Sequence, residues 1–507
     1  MKRTLLILLG LALLPSCRKE VPSDAGGARE LSAVIAEQGT EASGQEEGKT
    51  AFSPVGEGYD IFWSEGDRIS VGGHAYVLSS GAGTKNGRFS AVSSAATAPY
   101  KAICPASIRL SDTRISLPDT QDYIEGNIGN YPLYARSDGG TLSFTSLCGV
   151  LRLNVSGSGL IQSITLSADQ PLSGPADLSV ATGESVPHAT VSEGAGSLTV
   201  HFSTPLSLDS PREILICLPV GEYSGFRLDF YNTKAYSTRR SLGKTLSIKR
   251  GKISRITLTS LAFDRWNGQR FVDLGLDSHL RWAAANLGAQ LPQERGDYYA
   301  WAATSPHYAT LSPLNWKSGK SAGYTLANAP YYSSGTYTTY TQAGTALDAA
   351  DDAATASWGA PFRLPTESEW RELIDNCFWL RMDSYRNTGI SGFAVFKAKG
   401  SADKGFRQWI SGGSAPSGQS YDAGRDAHIF LPHAGYFEGT GLADTATRAY
   451  YYSASLSTAD WAPSGVASDK ACVLYFGYDS GFEKGNYERY WGFSMRPVIE
   501  KSDDETK

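Results

Sequence analysis

The chain has 507 residues and a formal net charge of −5 at pH 7, which suggests about three domains of ordinary size and argues against electrostatic binding of nucleic acid. Its 54 glycines, 27 tyrosines and only three methionines favour a folded, turn-rich, mainly β chain over a disordered one. No apolar stretch of the sequence is long enough to cross a bilayer as a helix.

Residues 1–16 have the pattern of a secretory signal peptide. Lys2 and Arg3 begin it, residues 5–14 form a short apolar segment, and small residues precede Cys17. A cysteine at this place resembles the signal of bacterial lipoproteins, which implies that Cys17 becomes the first mature residue and carries acyl chains such as palmitate. Two or three such chains hold a protein on a membrane. The alternative is an ordinary signal peptide with a chance cysteine.

The segment after the signal predicts an export signal followed by a flexible tether. The charged cluster Arg18-Lys19-Glu20 is similar to the export signal that sends lipoproteins of Bacteroidetes-type bacteria to the outer face of the outer membrane. Glycine, serine, alanine and glutamate dominate the residues that follow, which predicts a flexible tether over residues 17–48. We therefore expect outer-membrane lipid to be one partner of the chain and the cell surface to be its location.

The cysteines indicate little covalent bracing. Without the signal cysteine five remain, so at least one thiol is unpaired within the monomer. Cys104, Cys148 and Cys217 lie in apolar runs, which predicts buried thiols. Cys377 and Cys472 could form one bridge, and the sequence leaves that open. None of the five lies near a histidine at the spacing of a zinc site, so no metal or other cofactor is expected.

Composition divides the chain near residue 262. Ten of the eleven tryptophans and 18 of the 27 tyrosines lie after that point. So sharp a change argues for two regions with different cores. Residues 265–269 are expected to connect them.

The first region has the period-two pattern of strands with one buried face. Leu151, Leu153 and Val155 alternate with polar residues, and the same alternation recurs over residues 198–202 and 226–230. Glycine- and serine-rich turns separate these runs. The pattern predicts an all-β sandwich in two tandem subdomains that meet near residue 146.

Several segments of this region resemble fimbrillin-like proteins, over about residues 45–260. They are 50–52, 61–71 with its Trp-Ser-x-Gly-Asp element, 100–106, 143–151 and 214–221. The resemblance implies two transthyretin-like β-sandwich subdomains, residues 49–145 and 146–262, of the kind found in pilus subunits and related surface lipoproteins. Trp63 is expected to be a core residue and Gly66-Asp67 a turn.

The second region, residues 266–500, contains one well-marked helix. Thr366 and Glu369 have the spacing of a capping box at its start. The apolar residues that follow form a single stripe at helical spacing: Trp370, Leu373, Ile374 and Cys377.

Eight motifs in this region resemble, in order, the Fibrobacter succinogenes major paralogous domain, whose fold is similar to C-type lectins and formylglycine-generating enzymes. They cover residues 271–278, 280–283, 286–289, 296–301, 362–370, 429–436, 451–455 and 491–498. The resemblance implies a C-terminal α+β, C-type-lectin-like domain, followed by a charged tail over residues 501–507. The insert from 306 to 361 departs from the pattern and is expected to form surface loops. Arg363 and Arg496 are expected to be structural arginines that pair with carboxylates such as Glu369.

Two chemical roles for this region are disfavoured. Cys377 and Cys472 lie in apolar surroundings, which raise a thiol pKa and argue against the activated cysteine of a formylglycine-generating enzyme. Asp348, Asp351 and Asp352 form a tight acidic cluster, for which a solvated loop is favoured over a cation site.

Aromatic side chains supply the positive argument for binding. Sugar rings stack their C–H faces on tryptophan and tyrosine, and aromatic side chains carry much of the binding energy at protein interfaces. The candidate ligand-binding residues are Tyr331, Tyr332, Tyr337 and Tyr340 in the insert, and Tyr451, Tyr452 and Trp461 in a later segment. The alternative is that these rings fill the core.

The sequence therefore predicts a non-enzymatic surface lipoprotein, an adhesin or ligand-binding protein in which a β stalk presents a lectin-like head to a glycan or a protein. The alternative is an accessory or tip subunit of a fimbria, with other fimbrial subunits as partners that associate by strand addition. A maturation cut after Arg29 or Lys49 would fit that role. An enzyme of the formylglycine-generating type is the third hypothesis. No nucleic-acid partner is expected.

Overall fold

The computed structural model describes residues 27–36, 51–55, 58–111, 113–180, 182, 186–409, 414–459, 468–477 and 482–500. The chain is mainly β, as predicted. Within these ranges no helix has the length and apolar character that a membrane span requires. The predicted signal peptide, Cys17 and the tail over residues 501–507 lie outside the described residues.

The N-terminal part forms a closed barrel of seven strands, in the order β1-β12-β11-β7-β4-β5-β6. Trp63 is fully buried and meets the rings of Phe89 and Phe144 edge-on at 4.9 and 5.4 Å between centroids, which confirms it as a core residue. The strands of this part are β1 Glu30–Ile35, β2 Ala51–Val55, β3 Gly58–Phe62, β4 Arg68–Val71, β5 His74–Ser80, β6 Asn86–Ala91, β7 Tyr100–Cys104, β8 Arg114–Leu117, β9 Thr120–Ile124, β10 Asn127–Ile128, β11 Leu133–Ser137 and β12 Leu142–Ser146.

Strand β1 differs from the prediction, because it comes from the segment expected to be a tether. It pairs parallel with β12 and antiparallel with β6, and so closes the sheet on itself. Leu31, Ala33 and Ile35 point into the barrel core and are almost fully buried. Three buried side chains and two ladders of hydrogen bonds compensate the entropy of ordering this segment. The result is a closed barrel in place of the first β-sandwich that the sequence predicts.

The second part is a sandwich, as expected. Leu151, Leu153 and Val155 on β13 face the same core as residues of β14, β17 and β20, which confirms the period-two pattern. Its strands are β13 Gly149–Gly157, β14 Leu160–Ser167, β15 Gly174–Val180, β16 Pro187–Val191, β17 Ser197–Ser207, β18 Arg212–Leu218, β19 Gly221–Tyr223, β20 Arg227–Tyr231, β21 Tyr236–Ser241, β22 Leu246–Ile248 and β23 Ile253–Leu261. The two parts are interleaved, since β8 pairs with β15 and β9 pairs with β17 across the boundary expected at residue 146.

In its described residues the C-terminal part contains short strands, two helices and long irregular segments. Its strands are β24 Arg265–Trp266, β25 Gln269–Asp273, β26 Arg281–Ala283, β27 Tyr308–Thr310, β28 Asn315–Trp316, β29 Tyr332–Ser333, β30 Thr336–Tyr337, β31 Cys377–Met382, β32 Gly392–Lys397, β33 Arg407–Gln408, β34 His428–Pro432, β35 Tyr436–Glu438, β36 Gly441–Ala443, β37 Arg448–Leu456, β38 Lys470–Gly477, β39 Phe482–Glu488 and β40 Val498–Ile499. The helices are α1 Ala353–Trp358 and α2 Glu367–Asn376, and single 3₁₀ turns lie at Leu326–Asn328, Tyr385–Asn387 and Ser401–Asp403. The larger sheets are β33-β31-β32-β34 and β37-β38-β39.

Helix α2 begins as predicted. The Thr366 hydroxyl accepts from the backbone N–H of Glu369, and the Glu369 carboxylate accepts from the backbone N–H of Thr366 at 2.8 Å. Trp370, Leu373 and Ile374 are buried on one side of the helix. The capping box is therefore confirmed, and so is the apolar stripe for these three residues, whereas Cys377 is not helical and begins strand β31.

The expected connector at residues 265–269 is instead part of a continuous sheet. Strand β24 pairs with β21 of the sandwich, and β25 pairs with β24 and β26. The result is a ten-stranded sheet in the order β10-β9-β17-β14-β20-β21-β24-β25-β26-β40. One apolar core extends across the junction, from Leu151 to Ile499. Backbone pairing at the junction leaves no linker between the sandwich and the C-terminal part.

Candidate ligand-binding site

The structure divides the four insert tyrosines. Tyr331 is 40 % exposed, and Tyr332 is partly exposed. Tyr337 and Tyr340 are only 6 and 8 % exposed, so they belong to the core and not to a ligand surface, which corrects the expectation for these two residues. Asp351 links Tyr331 to Tyr340, because its carboxylate accepts hydrogen bonds from their hydroxyls at 2.5 and 2.6 Å.

A buried arginine fixes the insert, and sequence reasoning missed it. Arg489 has no exposed surface, and its guanidinium lies 3.9 Å from the ring centroid of Tyr337 and 4.7 Å from that of Trp301. It donates hydrogen bonds to the carbonyl oxygens of Thr339 and Tyr340. The sequence signal was weak, because Arg489 lies 149 residues along the chain from Tyr340.

Tyr451 and Tyr452 are fully buried, which corrects their assignment to a ligand surface. They point to opposite faces of β37, as neighbours on a strand must, and both faces are covered. Tyr451 packs against Trp370 in one core, and Tyr452 packs against Phe493 in another. The Tyr452 hydroxyl donates to the carbonyl of Glu488 at 2.6 Å. Trp461 lies outside the described residues.

Four neighbouring rings form a partly exposed surface that we call the aromatic patch: Tyr436, Tyr475, Tyr487 and Trp491. Tyr436 stacks on Trp491 with 5.2 Å between centroids and 26° between planes. Tyr487 meets Tyr475 edge-on at 5.5 Å and lies 5.9 Å from Trp491. The patch therefore offers rings in several orientations over a short distance.

The rings of the patch pack on two buried rings, those of Tyr450 and Phe493. Tyr450 stacks on Phe493 with 12° between planes, and Tyr436 meets Tyr450 at 5.0 Å. Strand pairing sets this arrangement, because Tyr475 on β38 lies directly opposite Tyr450 on β37. A rigid aromatic surface loses little entropy on binding. The alternation of β38 was the signal that could have revealed Tyr475, since neighbouring positions alternate between two cores.

The acidic cluster of Asp348, Asp351 and Asp352 has a structural role. Asp352 caps α1, and its carboxylate accepts from the backbone N–H groups of Ala354, Thr355 and Leu364 at 2.7–3.0 Å. Burial raises the pKa of Asp352, and these bonds oppose that rise. The carboxylates of Asp351 and Asp348 both accept a hydrogen bond from the Tyr340 hydroxyl. Among the described residues no group of histidine, cysteine and carboxylate side chains is arranged to hold a metal ion.

The five described cysteines are buried and form no disulfide, which confirms the prediction for Cys104, Cys148 and Cys217 and answers the open question of a bridge between Cys377 and Cys472. Burial raises the pKa of the Cys377 thiol to about 12 and that of the Cys472 thiol to about 11. Such thiols are protonated at neutral pH, and a protonated thiol is a poor nucleophile.

The two predicted structural arginines have different partners. Arg363 forms a bidentate pair with Glu369, with distances of 2.8 and 2.7 Å, as predicted. Arg496 is fully buried but donates to the Asn286 amide oxygen and to the carbonyls of Ala283 and Phe430. The expectation of a carboxylate partner is therefore wrong for Arg496, because an amide oxygen and two backbone carbonyls take that place.

No family model matches the chain, and no curated protein does. Similar solved structures come from Bacteroides. A Bacteroides ovatus protein, provisionally described as a cell adhesion protein, has 14% identity over 40% of this chain and 85% of its own, with a TM-score of 0.27. A Bacteroides uniformis protein with the same provisional description has 16% identity over 42% of this chain and 91% of its own, with a TM-score of 0.27. A fimbrial protein from Bacteroides ovatus has 10% identity over 87% of this chain and 95% of its own, with a TM-score of 0.22. TM-scores of this size do not assign a function.

Proposed function

We propose that the chain is a surface-exposed, lipid-anchored adhesin whose C-terminal, lectin-like part binds a glycan or a protein through the aromatic patch. The observation that carries the proposal is the patch itself, four partly exposed rings held on buried ones. Stacked tyrosine and tryptophan rings suit the C–H faces of sugars and the centres of protein interfaces.

The continuous sheet supports the same role. An adhesin must transmit force between its attachment and its ligand. Here the sandwich and the C-terminal part are joined by one ten-stranded sheet and one apolar core, and not by a flexible linker. The lipid attachment at Cys17 and the outer-membrane location belong to the proposal as well, on the sequence pattern alone.

A glycan array probed with the full chain tests the proposal. We expect selective binding, and we expect Trp491→Ala and Tyr475→Ala to weaken it by at least about tenfold, since buried aromatic contacts are typical hot spots. Phe406→Ala is the matched control, because this ring is 38 % exposed but lies outside the patch. Thermal unfolding of each variant separates a lost contact from a lost fold.

The adhesin proposal would be refuted if the chain bound no glycan on the array and no protein of neighbouring cells. Equal loss in the Phe406→Ala variant would show that the patch is not the binding surface.

The fold also favours one alternative, an accessory or tip subunit of a fimbria. Strand β1 comes from the N-terminal segment and completes the barrel through pairing with β12 and β6. A strand from a neighbouring subunit could take the same place by β-augmentation. Mass spectrometry of the mature protein tests this, since a subunit cut after Lys49 would lack Cys17, whereas the adhesin would retain it.

A further inference from the structure

A cleft of about 540 Å³ lies where the sandwich meets the C-terminal part. Residues 262–264, strand β25 and the start of β26 form one side, and the 3₁₀ turn at Tyr385–Asn387 and residues 423–428 form the other. Four arginines line it: Arg270, Arg281, Arg386 and Arg425. None of the rings of the aromatic patch is among the lining residues.

Of the three aspartates that line the cleft, Asp273 lies 4.0 Å from Arg281, and the other two are hydrogen-bonded to cations. Asp264 accepts from Arg270 at 3.1 Å. Asp426 accepts from Arg425 at 3.2 Å and from Lys399 at 2.7 Å, and these bonds hold its pKa below the usual range. Two cations share one carboxylate at this point, so these carboxylates do not make the cleft acidic.

Arg386 supplies positive charge that is not paired with a carboxylate of the described residues. Its Nε donates to the carbonyl of Ala423 at 3.2 Å, and the guanidinium lies 5.3 Å from the ring centroid of Tyr385. Arg386 and Asn387 both have left-handed backbone, with φ of 46° and 61°. Two successive left-handed residues that are not glycine are costly, and such strain concentrates at functional sites.

The floor of the cleft is fixed. His428 bonds to the Tyr385 hydroxyl through Nε2 and to the Asp426 carbonyl through Nδ1, both at 2.8 Å. Burial lowers the pKa of His428, and the charges of Arg386 and Arg270 lower it further. The same two charges oppose the burial that raises the pKa of Tyr385. Both side chains therefore experience positive potential from the cleft.

We propose that this cleft binds the carboxylate of a small acidic ligand of monosaccharide size, with Arg386 as its main contact. A cleft of this volume is in the usual range for small-molecule sites. A planar guanidinium held by one carbonyl keeps other N–H groups for a carboxylate, and Arg binds that group bidentately. The inference goes beyond the proposed function and does not depend on it, since the two sites share no residue.

Calorimetric titration of the full chain with glucuronate tests the inference, with glucose as the neutral match and inorganic sulfate as the simple anion. We expect binding of glucuronate at low ionic strength, none of glucose, and weaker binding of sulfate. Arg386→Gln is expected to weaken glucuronate binding at least about tenfold, because a charged hydrogen bond is lost. Arg88→Gln, an exposed arginine on the barrel, is the control and should leave binding unchanged.

Three results with the sugars and the variant would overturn the inference, and a fourth concerns sulfate. These are no glucuronate binding at millimolar concentration, equal binding of glucose, or unchanged affinity in Arg386→Gln when its thermal unfolding matches the parent. Sulfate binding as tightly as glucuronate would reduce the cleft to a site for an adventitious ion only, and would also overturn it. A blank titration here leaves the glycan array with the aromatic patch as an independent test.

Discussion

Removing the buried Arg489 guanidinium should detach the insert from the rest of the C-terminal part. The substitution Arg489→Met keeps an unbranched apolar side chain of similar length but removes every donor. Three carbonyls would lose a charged donor, those of Thr339, Tyr340 and Ser468, which lie 3.1–3.3 Å from Nη1.

The magnitude follows from these contacts. The loss of the donor to each of these carbonyls lowers stability by about 1 kcal/mol, once the desolvation cost of burying the guanidinium is subtracted. The two cation–π contacts, with Tyr337 at 3.9 Å and Trp301 at 4.7 Å, add about 1 kcal/mol each. We therefore expect Arg489→Met to lower the free energy of unfolding by about 5 kcal/mol, and Arg489→Lys to recover only part of it because an ammonium lacks the fork geometry.

Urea unfolding followed by tryptophan fluorescence is the assay, since ten of the eleven tryptophans lie after residue 262 and report on this part. Limited proteolysis should show earlier cleavage in residues 306–361. Arg114→Met is the control, because its ion pair with Asp177 is about half exposed and such pairs contribute at most about 1 kcal/mol. A change for Arg489→Met no larger than that of the control would refute the reasoning.

Three further outcomes are expected. Thr366→Ala should cost about 1 kcal/mol in the same urea assay, since it removes the cap of α2, and no loss would contradict the cap. Cys377 and Cys472 should react with a thiol reagent at pH 8 only in urea, since burial raises their pKa values to about 12 and 11; rapid labelling of the folded chain would count against it. Burial lowers the pKa of His307 and His433 to about 4. As the pH falls, these histidines are therefore protonated in the unfolded chain before they are protonated in the folded one. The free energy of unfolding should fall between about pH 6.5 and pH 4, by up to about 3 kcal/mol per histidine. Replacing both histidines with glutamine should flatten urea midpoints between pH 6.5 and 5, and an unchanged slope would exclude them as the cause.

The sequence was most informative where the signal is local. The capping box at Thr366, the alternation of Leu151, Leu153 and Val155, and the burial of Trp63 each depend on residues close together in the chain, and the structure confirms all three. Period and cap chemistry act over a few residues, so they can be read without knowledge of the fold.

Aromatic composition was informative only in part. It indicated that rings matter in the C-terminal part, but it did not separate exposed rings from buried ones. The run Tyr450 to Tyr452 illustrates why, because a covered strand hides both of its faces. Tyr475 and Trp491 join the aromatic patch through strand pairing and a turn, which residue identity does not express.

By itself, then, the sequence determined the mainly β character, the strand faces and the helix start, because these follow from local periodicity and hydrogen bonding. Only the tertiary structure decided that β1 closes a barrel, that one sheet continues through residues 265–269, and that Arg386 and Arg489 take their positions. These features depend on contacts between residues far apart in the chain, whose free energy is gained only when distant strands meet.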